Sequence, residues 1–363
     1  MFVHTLHSSR LKAAVPCAAV LLLGAAFLSF PAAMQNGVSR GLTICGSILI
    51  PGLFPFLVLA DLAVKSGACS FLGRLLRKPI AHLFHLPGCC GTAIFIGLVG
   101  GYPAGAITTA ELYRSGAVTQ EEARRLLRFC VNAGPAFIIS TVGVGLLGNV
   151  RIGLLLYIAH VISALLIGIA DGLRERFLGG TNTQAVVISQ PIARLPLGTA
   201  LPQSVNNACR SLLSMCGFVL LSSATLSLLD AIGLTQYPPL DLLLPSLLEV
   251  SCGCLAVASS PAMPLLLGTI LGFGGLSVHG QLAAALADTP LIRGDFFAAR
   301  LLQALLSGAI TAFLFRLWPQ SNAVFLPLSE TLTPSLSGNA AAGAALLVMC
   351  GLFLLATRRE TTI

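Results

Sequence analysis

Residues 97–108 read GLVGGYPAGAIT. They lie in a run from Pro79 to Ala110 that contains no Asp, Glu, Lys or Arg. That run exceeds the ~20 apolar residues a helix needs to cross hydrocarbon. Yet Gly100, Gly101, Pro103 and Gly105 stand near its middle, where glycine costs backbone entropy and proline removes a hydrogen-bond donor. A segment apolar enough for a membrane and broken at its centre is a candidate for a chain that dips into the bilayer and returns.

The rest of the chain sets that segment in a membrane. Of 363 residues, 56% are hydrophobic and 9% charged, and the mean hydropathy is +0.90. Soluble domains carry about a quarter charged residues. Further charge-free stretches run over Ala13–Ala33, Gly41–Ala60, Phe129–Val150, Ile152–Ala170, Ser211–Leu229 and Leu336–Thr357. The fold class expected is therefore an all-α polytopic membrane protein with roughly seven to ten membrane segments. Its setting is the lipid bilayer of the cytoplasmic membrane, crossed several times. The formal charge of +8 does not point to nucleic acid. Lys and Arg cluster between apolar runs, as in cytoplasmic loops, and no basic stripe is interleaved with aromatics. Among the 11 cysteines, Cys89-Cys90 and Cys252-Gly-Cys254 lack the paired CxxC spacing of a zinc site. No metal and no cofactor is expected. Nor is an enzyme, since no nucleophile elbow, HExxH, P-loop or paired-carboxylate motif occurs. Residues 1–33 have the Arg10/Lys12, apolar run and FPAAM of a cleaved signal; ahead of so many spans they read as a retained first helix.

Five regions follow: an N-terminal transmembrane helix at 1–40, a first half at 41–176, a polar linker at 177–203, a second half at 204–318, and a C-terminal helix and tail at 319–363. Within the first half, residues 69–86 alternate Arg74, Arg77 and Lys78 with apolar residues, as a short helix on the membrane surface does. Thr119 and Glu122 have capping-box spacing, which predicts a helix running on into the span at 129–150. The second half echoes the first. Residues 100–127 and 274–302 share a Gly-Gly break, a small-residue arm, a polar turn and an Ala-x-Arg-Leu-Leu ending. This pairs Gly100 with Gly274, Gly101 with Gly275, Arg125 with Arg300, and Asn132 with Ser307.

Charge decides between a crossing and a dip. If residues 87–112 crossed, Lys65, Arg74, Arg77 and Lys78 would lie opposite Arg114, Arg124, Arg125 and Arg128. If they dip and return, both groups share one side with Arg174, Arg176 and Arg194, as the positive-inside rule prefers. The dip also sets spans 41–60 and 211–229 in opposite directions, the plan of transporters built from inverted repeats. By this count Arg358 and Arg359 fall on the wrong side.

GLFPF (52–56), GLVGGYPAGA (97–106), NAGPAFI (132–138) and GFGGLSVHGQ (272–281), in this order and spacing, resemble the bacterial YlbJ family of sporulation integral membrane proteins. That family is grouped with the nucleoside-recognition, or Gate, domain, which also occurs in concentrative nucleoside transporters and ferrous-iron transporters. The resemblance covers roughly residues 40–318. It implies two inverted Gate-type repeats with glycine-broken re-entrant hairpins at Gly100–Gly105 and Gly274–Gly280, often in a sporulation setting. No nucleoside-binding motif of the transporters is found here.

Irregular backbone at membrane depth is tolerated only inside protein or beside a water-filled cavity. The freed N–H and C=O groups can then hold a solute. The candidate solute site is Gly100, Gly101, Tyr102, Pro103, Gly105 and Thr108 of the first break, with Gly274, Gly275, Ser277, His279 and Gln281 of the second. Asn132 and Gly134 of NAGP join it. So does Glu249, an intramembrane acid expected to face the cavity and to pair with a cation or with His279. The function expected is a permease for an unidentified small solute, with room for a coupling ion and an oligomer, in which one half moves against the other. The alternative, from another class, is a non-transporting structural or assembly protein of the spore envelope.

Overall fold

The computed structural model describes residues 17–18, 20–67, 76–179, 195–258, 260 and 263–319. The stretch at 336–357, Arg194 and the tail arginines lie outside them. All regular structure among the described residues is helical. Short α1 (Val20–Ser29) precedes α2 (Pro31–Ile44), which runs through a π-helical turn, π1 (Cys45–Leu49), into α3 (Ile50–Lys65). The surface helix is α4 (Arg77–Leu83). After it come α5 (Cys90–Val99), α6 (Tyr102–Arg114), α7 (Gln120–Cys130), π2 (Ala136–Leu146) and α8 (Val150–Phe177). The later part holds α9 (Leu197–Ala231), α10 (Leu240–Leu248), α11 (Val250–Val257), α12 (Met263–Phe273), α13 (Gly275–Ala285) and α14 (Gly294–Leu317). Among the described residues, five helical stretches are long and apolar enough to cross a membrane: Pro31–Lys65, Val150–Phe177, Leu197–Ala231, Met263–Ala285 and Gly294–Leu317.

The quoted segment is a hairpin. Arms α5 and α6 fold together, so that a Cβ on Gly105 would lie 2.7 Å from Gly97 Cα. Entry and exit meet where the Cys89 thiol approaches the Ala117 carbonyl at 3.7 Å. The basic groups gather on that face. Arg176 donates to the His82 carbonyl, Arg125 pairs with Asp171 at 2.7 Å, and the Leu195 N–H donates to the Lys65 carbonyl at 3.1 Å.

From this basic face the capped helix α7 runs into the helical body. Its Thr119–Glu122 box is fully formed. The expected continuous helix is absent, however: the chain unwinds over residues 131–134 before π2. Pro135 offers no N–H and disfavours helix in the residue before it. The α8 helix then returns antiparallel to both pieces, with Gly153 against Ile139 and Gly143, His160 against Ala133, and Asp171 against Arg125.

The later elements hold a second hairpin and a second interrupted span. A second hairpin folds α10 onto α11, where a Cβ on Gly253 would stand 2.6 Å from Ser246 Cα. Its tip is Glu249. Helix α12 then packs antiparallel on α14, Gly268 against Gly308 and Gly272 against Ala304, and α13 carries on to the basic face. There Arg114 forms a two-pronged pair with Asp288 at 3.0 and 2.6 Å. This corrects one expectation. Gly274–Gly275 bends a continuing span, while the second hairpin lies at 240–257.

The two first spans, α2–π1–α3 and α9, do not stay with their own halves. They pair antiparallel, Gly37 against Ser223–Ala224, Gly41 against Leu220, Asp61 against Asn207. Small residues permit this close approach, which drives helix association where lipid gives no hydrophobic force. A separate cluster of Ile44, Cys45, Leu49, Leu53, Leu212 and Val219 forms their apolar seam. The hairpins and remaining spans bury the larger cluster around Phe129, Leu126, Ile138, Leu156 and Leu271.

Candidate functional site

Four interruptions of the backbone meet near the centre. At the first hairpin tip Gly101 has φ +93° and ψ 178°, a conformation open only to glycine. Against it lies the unwound segment: a Cβ on Gly134 would fall 2.7 Å from the Val99 carbonyl and 3.0 Å from the Gly101 nitrogen. The second tip repeats this contact. Glu249 turns the chain with φ −151° and ψ 135°, and a Cβ on Gly275 would lie 3.2 Å from the Val250 nitrogen. Tyr102 joins the two sets, its hydroxyl donating to the Leu271 carbonyl at 2.7 Å, its ring against Gly274.

Between these tips and the antiparallel pair lies a cavity of ≈ 60 Å³. Gly100, Gly101, Tyr102, Gly134, Glu249, Ser251 and Gln281 line it from one side, and Leu49, Leu53, Phe56, Leu57, Met215 and Val219 from the other. Its volume is enough for a few waters or a small ion. The starts of α6, π2 and α11 reach its wall through Tyr102, Ala136 and Val250. Helix starts leave backbone N–H groups without intrahelical partners.

A second cavity, of ≈ 500 Å³, lies toward the basic face. Asp61, Lys65, Asn207 and Arg210 of the antiparallel pair face Pro103, Ile107, Thr108 and Glu111 of the first hairpin across it. Gly100 and Leu57 line both cavities, so the first tip stands between them. Asp61 pairs with Lys65 at 2.8 Å and accepts from the Asn207 amide at 3.1 Å.

The expected site residues thus divide. Gly100, Gly101, Tyr102, Gly134, Glu249 and Gln281 line the central cavity, and Pro103 and Thr108 the larger one with Gly100. Gly105 seats the Cys130 carbonyl where the hairpin arms cross. Gly274 and Gly275 form the bend beside Tyr102 and Glu249. Ser277 is buried on α13. His279 makes no pair with Glu249: its Nδ1 meets the Gly275 carbonyl at 2.7 Å, and its ring sits among Phe273, Phe296 and Phe297.

Asn132 lies behind the cavity. Its amide donates to the Phe129 carbonyl at 2.7 Å and its oxygen accepts from Gln303 at 2.8 Å. Ala133 N–H donates to His160 Nε2 at 3.1 Å. Arg300, 1% exposed, donates to the carbonyls of Val131 and Arg128. His160 of α8 and Arg300 of α14 thereby replace helix bonds lost at the break, and Gln303 of α14 holds the Asn132 side chain. A cation is also well placed at a helix C-terminus. Arg125 does the same for α4, donating to the carbonyls of Phe84 and His85 at 2.8 and 3.1 Å. His160, Arg300 as a cap, Gln303 and the vestibule residues Asn207 and Arg210 were not among the expected site. Arg300 and Gln303 are one turn apart on a helix, a spacing that marks a polar face; their partners are remote in sequence.

Over 330 aligned residues the chain is 30% identical to the sporulation integral membrane protein YlbJ of Bacillus subtilis (strain 168), covering 82% of this chain and 81% of that protein. No protein-family model matches the chain. No solved structure matches it either.

Proposed function

Since the chain belongs to the YlbJ family of sporulation integral membrane proteins, we propose that it is a cytoplasmic-membrane permease for a small solute, working in sporulation. The carrying observation is that two hairpin tips and two unwound spans converge on one cavity, a plan that transporters use to bind cargo with backbone groups. The halves are read as inverted repeats, because the order span, hairpin, broken span, span recurs from opposite faces. The basic face is the cytoplasmic one by charge. The larger cavity is then an entrance from the cytoplasm, closed at Gly100 from the central site.

Both cavities lie between the antiparallel pair and the body of hairpins and spans. The proposed motion is of that body against the pair, each containing parts of both sequence halves. A cross-link tests it. Gly52 on α3 faces Thr141 on π2, a Cβ at Gly52 falling 3.0 Å from the threonine hydroxyl. In a background without native cysteines, G52C/T141C is oxidised in liposomes and uptake of nucleosides, dipicolinate-like acids and metal ions is measured. A transported solute whose uptake stops on oxidation and returns on reduction is expected. No uptake of any class by the reduced protein, with the family phenotype retained by the locked one, would favour a structural role in the spore envelope instead.

A further inference from the structure

The two hairpin tips differ in one chemical respect. The first turns on glycines and presents backbone; the second presents the carboxylate of Glu249, among the described residues the only charged side chain lining the central cavity. Glu249 is 4% exposed. One oxygen accepts from the Cys252 N–H at 2.9 Å, the other from the Ser251 hydroxyl at 3.3 Å. No ion pair among the described residues includes it. Its hydrogen bonds come from the backbone and side chains of Ser251 and Cys252, neutral groups at the α11 start that bring no counter-charge.

Capping the α11 start does not by itself call for this residue. Ser, Thr, Asn and Asp are the common caps, three of them without charge. The partial positive charge of a helix start is about half a unit, which leaves a net negative charge facing the cavity. The thiols of Cys45, Cys252 and Cys254 and the Tyr102 phenol lie close enough to interact with it, types ordinarily neutral at pH 7, and the Arg40 guanidinium on α2 acts on the adjoining Cys252 thiol. Across the cavity, α3 and α9 offer apolar side chains, and α13 offers the Gln281 amide. A charge left without a counter-ion at membrane depth is costly.

We propose that Glu249 binds a single positive charge in the central cavity, carried by a proton, an alkali-metal ion or the ammonium group of a solute. One carboxylate in an apolar chamber matches one monovalent cation. Binding stands independently of the permease reading; that the bound cation moves across the membrane rests on it.

The test is labelling of the purified full-length protein by a membrane-permeant carbodiimide, which attacks protonated carboxyls, with the Glu249 adduct counted by mass spectrometry. NaCl, methylammonium chloride and, as control, choline chloride are compared across the neutral pH range. A bound cation at ten times its dissociation constant slows labelling about tenfold. Protection by sodium or methylammonium supports an inorganic or ammonium cation. Labelling that titrates with pH and ignores the salts supports a proton. E249Q, whose amide oxygen can still accept the Cys252 N–H, must keep the fold and lose the adduct. A Glu249 that never labels, or labels at a rate neither pH nor any salt changes, is a cap alone and overturns the proposal. A protein that labels with protection but transports nothing leaves this site intact and removes only the permease reading.

Discussion

The two hairpins, 90–114 and 240–257, occupy matching places on opposite faces yet turn by different means. The first uses Gly101 in a conformation closed to other residues, pressed against Gly134. The second turns on Glu249 in ordinary extended backbone, and the glycine of that contact, Gly275, has moved to the neighbouring broken span. A tip made of backbone can hold a polar group of either sign. A tip that carries a carboxylate selects by charge. On the proposed permease reading, the pair would divide one site into a gate beside the entrance and a charged seat.

Substitutions at the two contacts sharpen that contrast. Gly134→Val should have the larger effect, because its side chain would enter the Val99 and Gly101 backbone. Overpacking of this kind costs about 1–3 kcal/mol, and the first hairpin should detach. Gly275→Ala meets the Glu249–Val250 backbone less tightly but must hold φ +75°, at about 1–2 kcal/mol. Thermal unfolding in detergent measures both. Equal effects, or a larger one at Gly275, would remove the distinction between a tightly packed first tip and a looser second.

The smallest effect concerns how the first hairpin is anchored. Its outer arm ends at Arg114, paired with exposed Asp288, and hydrogen bonding to that guanidinium holds the Asp288 carboxyl below its ordinary 3.8. A depressed acid gives stability present above the ordinary value and lost as pH falls through the lowered one. Exposed pairs contribute little, so D288N should leave the melting curve at neutral pH nearly unchanged and remove only a slight acid-side dependence. A large neutral-pH loss would mean that this pair holds the hairpin in place.

What could be read in the sequence follows from these devices. The first tip was visible because it needs Gly100, Gly101 and Pro103 inside an apolar run, and the segment does fold back on itself as a hairpin. The capping box at Thr119 is local and formed as expected. Glu249 was visible as an intramembrane acid but not as a turn, since the chain turns at an extended glutamate between Leu248 and Val250 while the nearest breakers, Pro245 and Gly253, each stand four residues away. The matching double glycines misled because the same pair serves two geometries. At 100–101 the chain reverses, with Gly101 extended at ψ 178°. At 274–275 two left-handed residues only bend it, Gly274 having ψ −9°. The vestibule was hidden for another reason. Asp61 meets Asn207 only because two spans remote in sequence pair antiparallel, and no local pattern records that.

The central claim is that water reaches the first tip from the basic face while the outer helix surfaces face lipid. Single cysteines at Ala104, Ile107 and Thr108, which line the larger cavity, are compared with cysteines at Leu213 and Leu305, 76% and 68% exposed on α9 and α14. In a background without native cysteines, a charged maleimide is applied to the basic face of oriented vesicles. Labelling is expected at the three cavity positions and at neither Leu213 nor Leu305. Protection of all five, or labelling of the cavity positions from the opposite face alone, would contradict it.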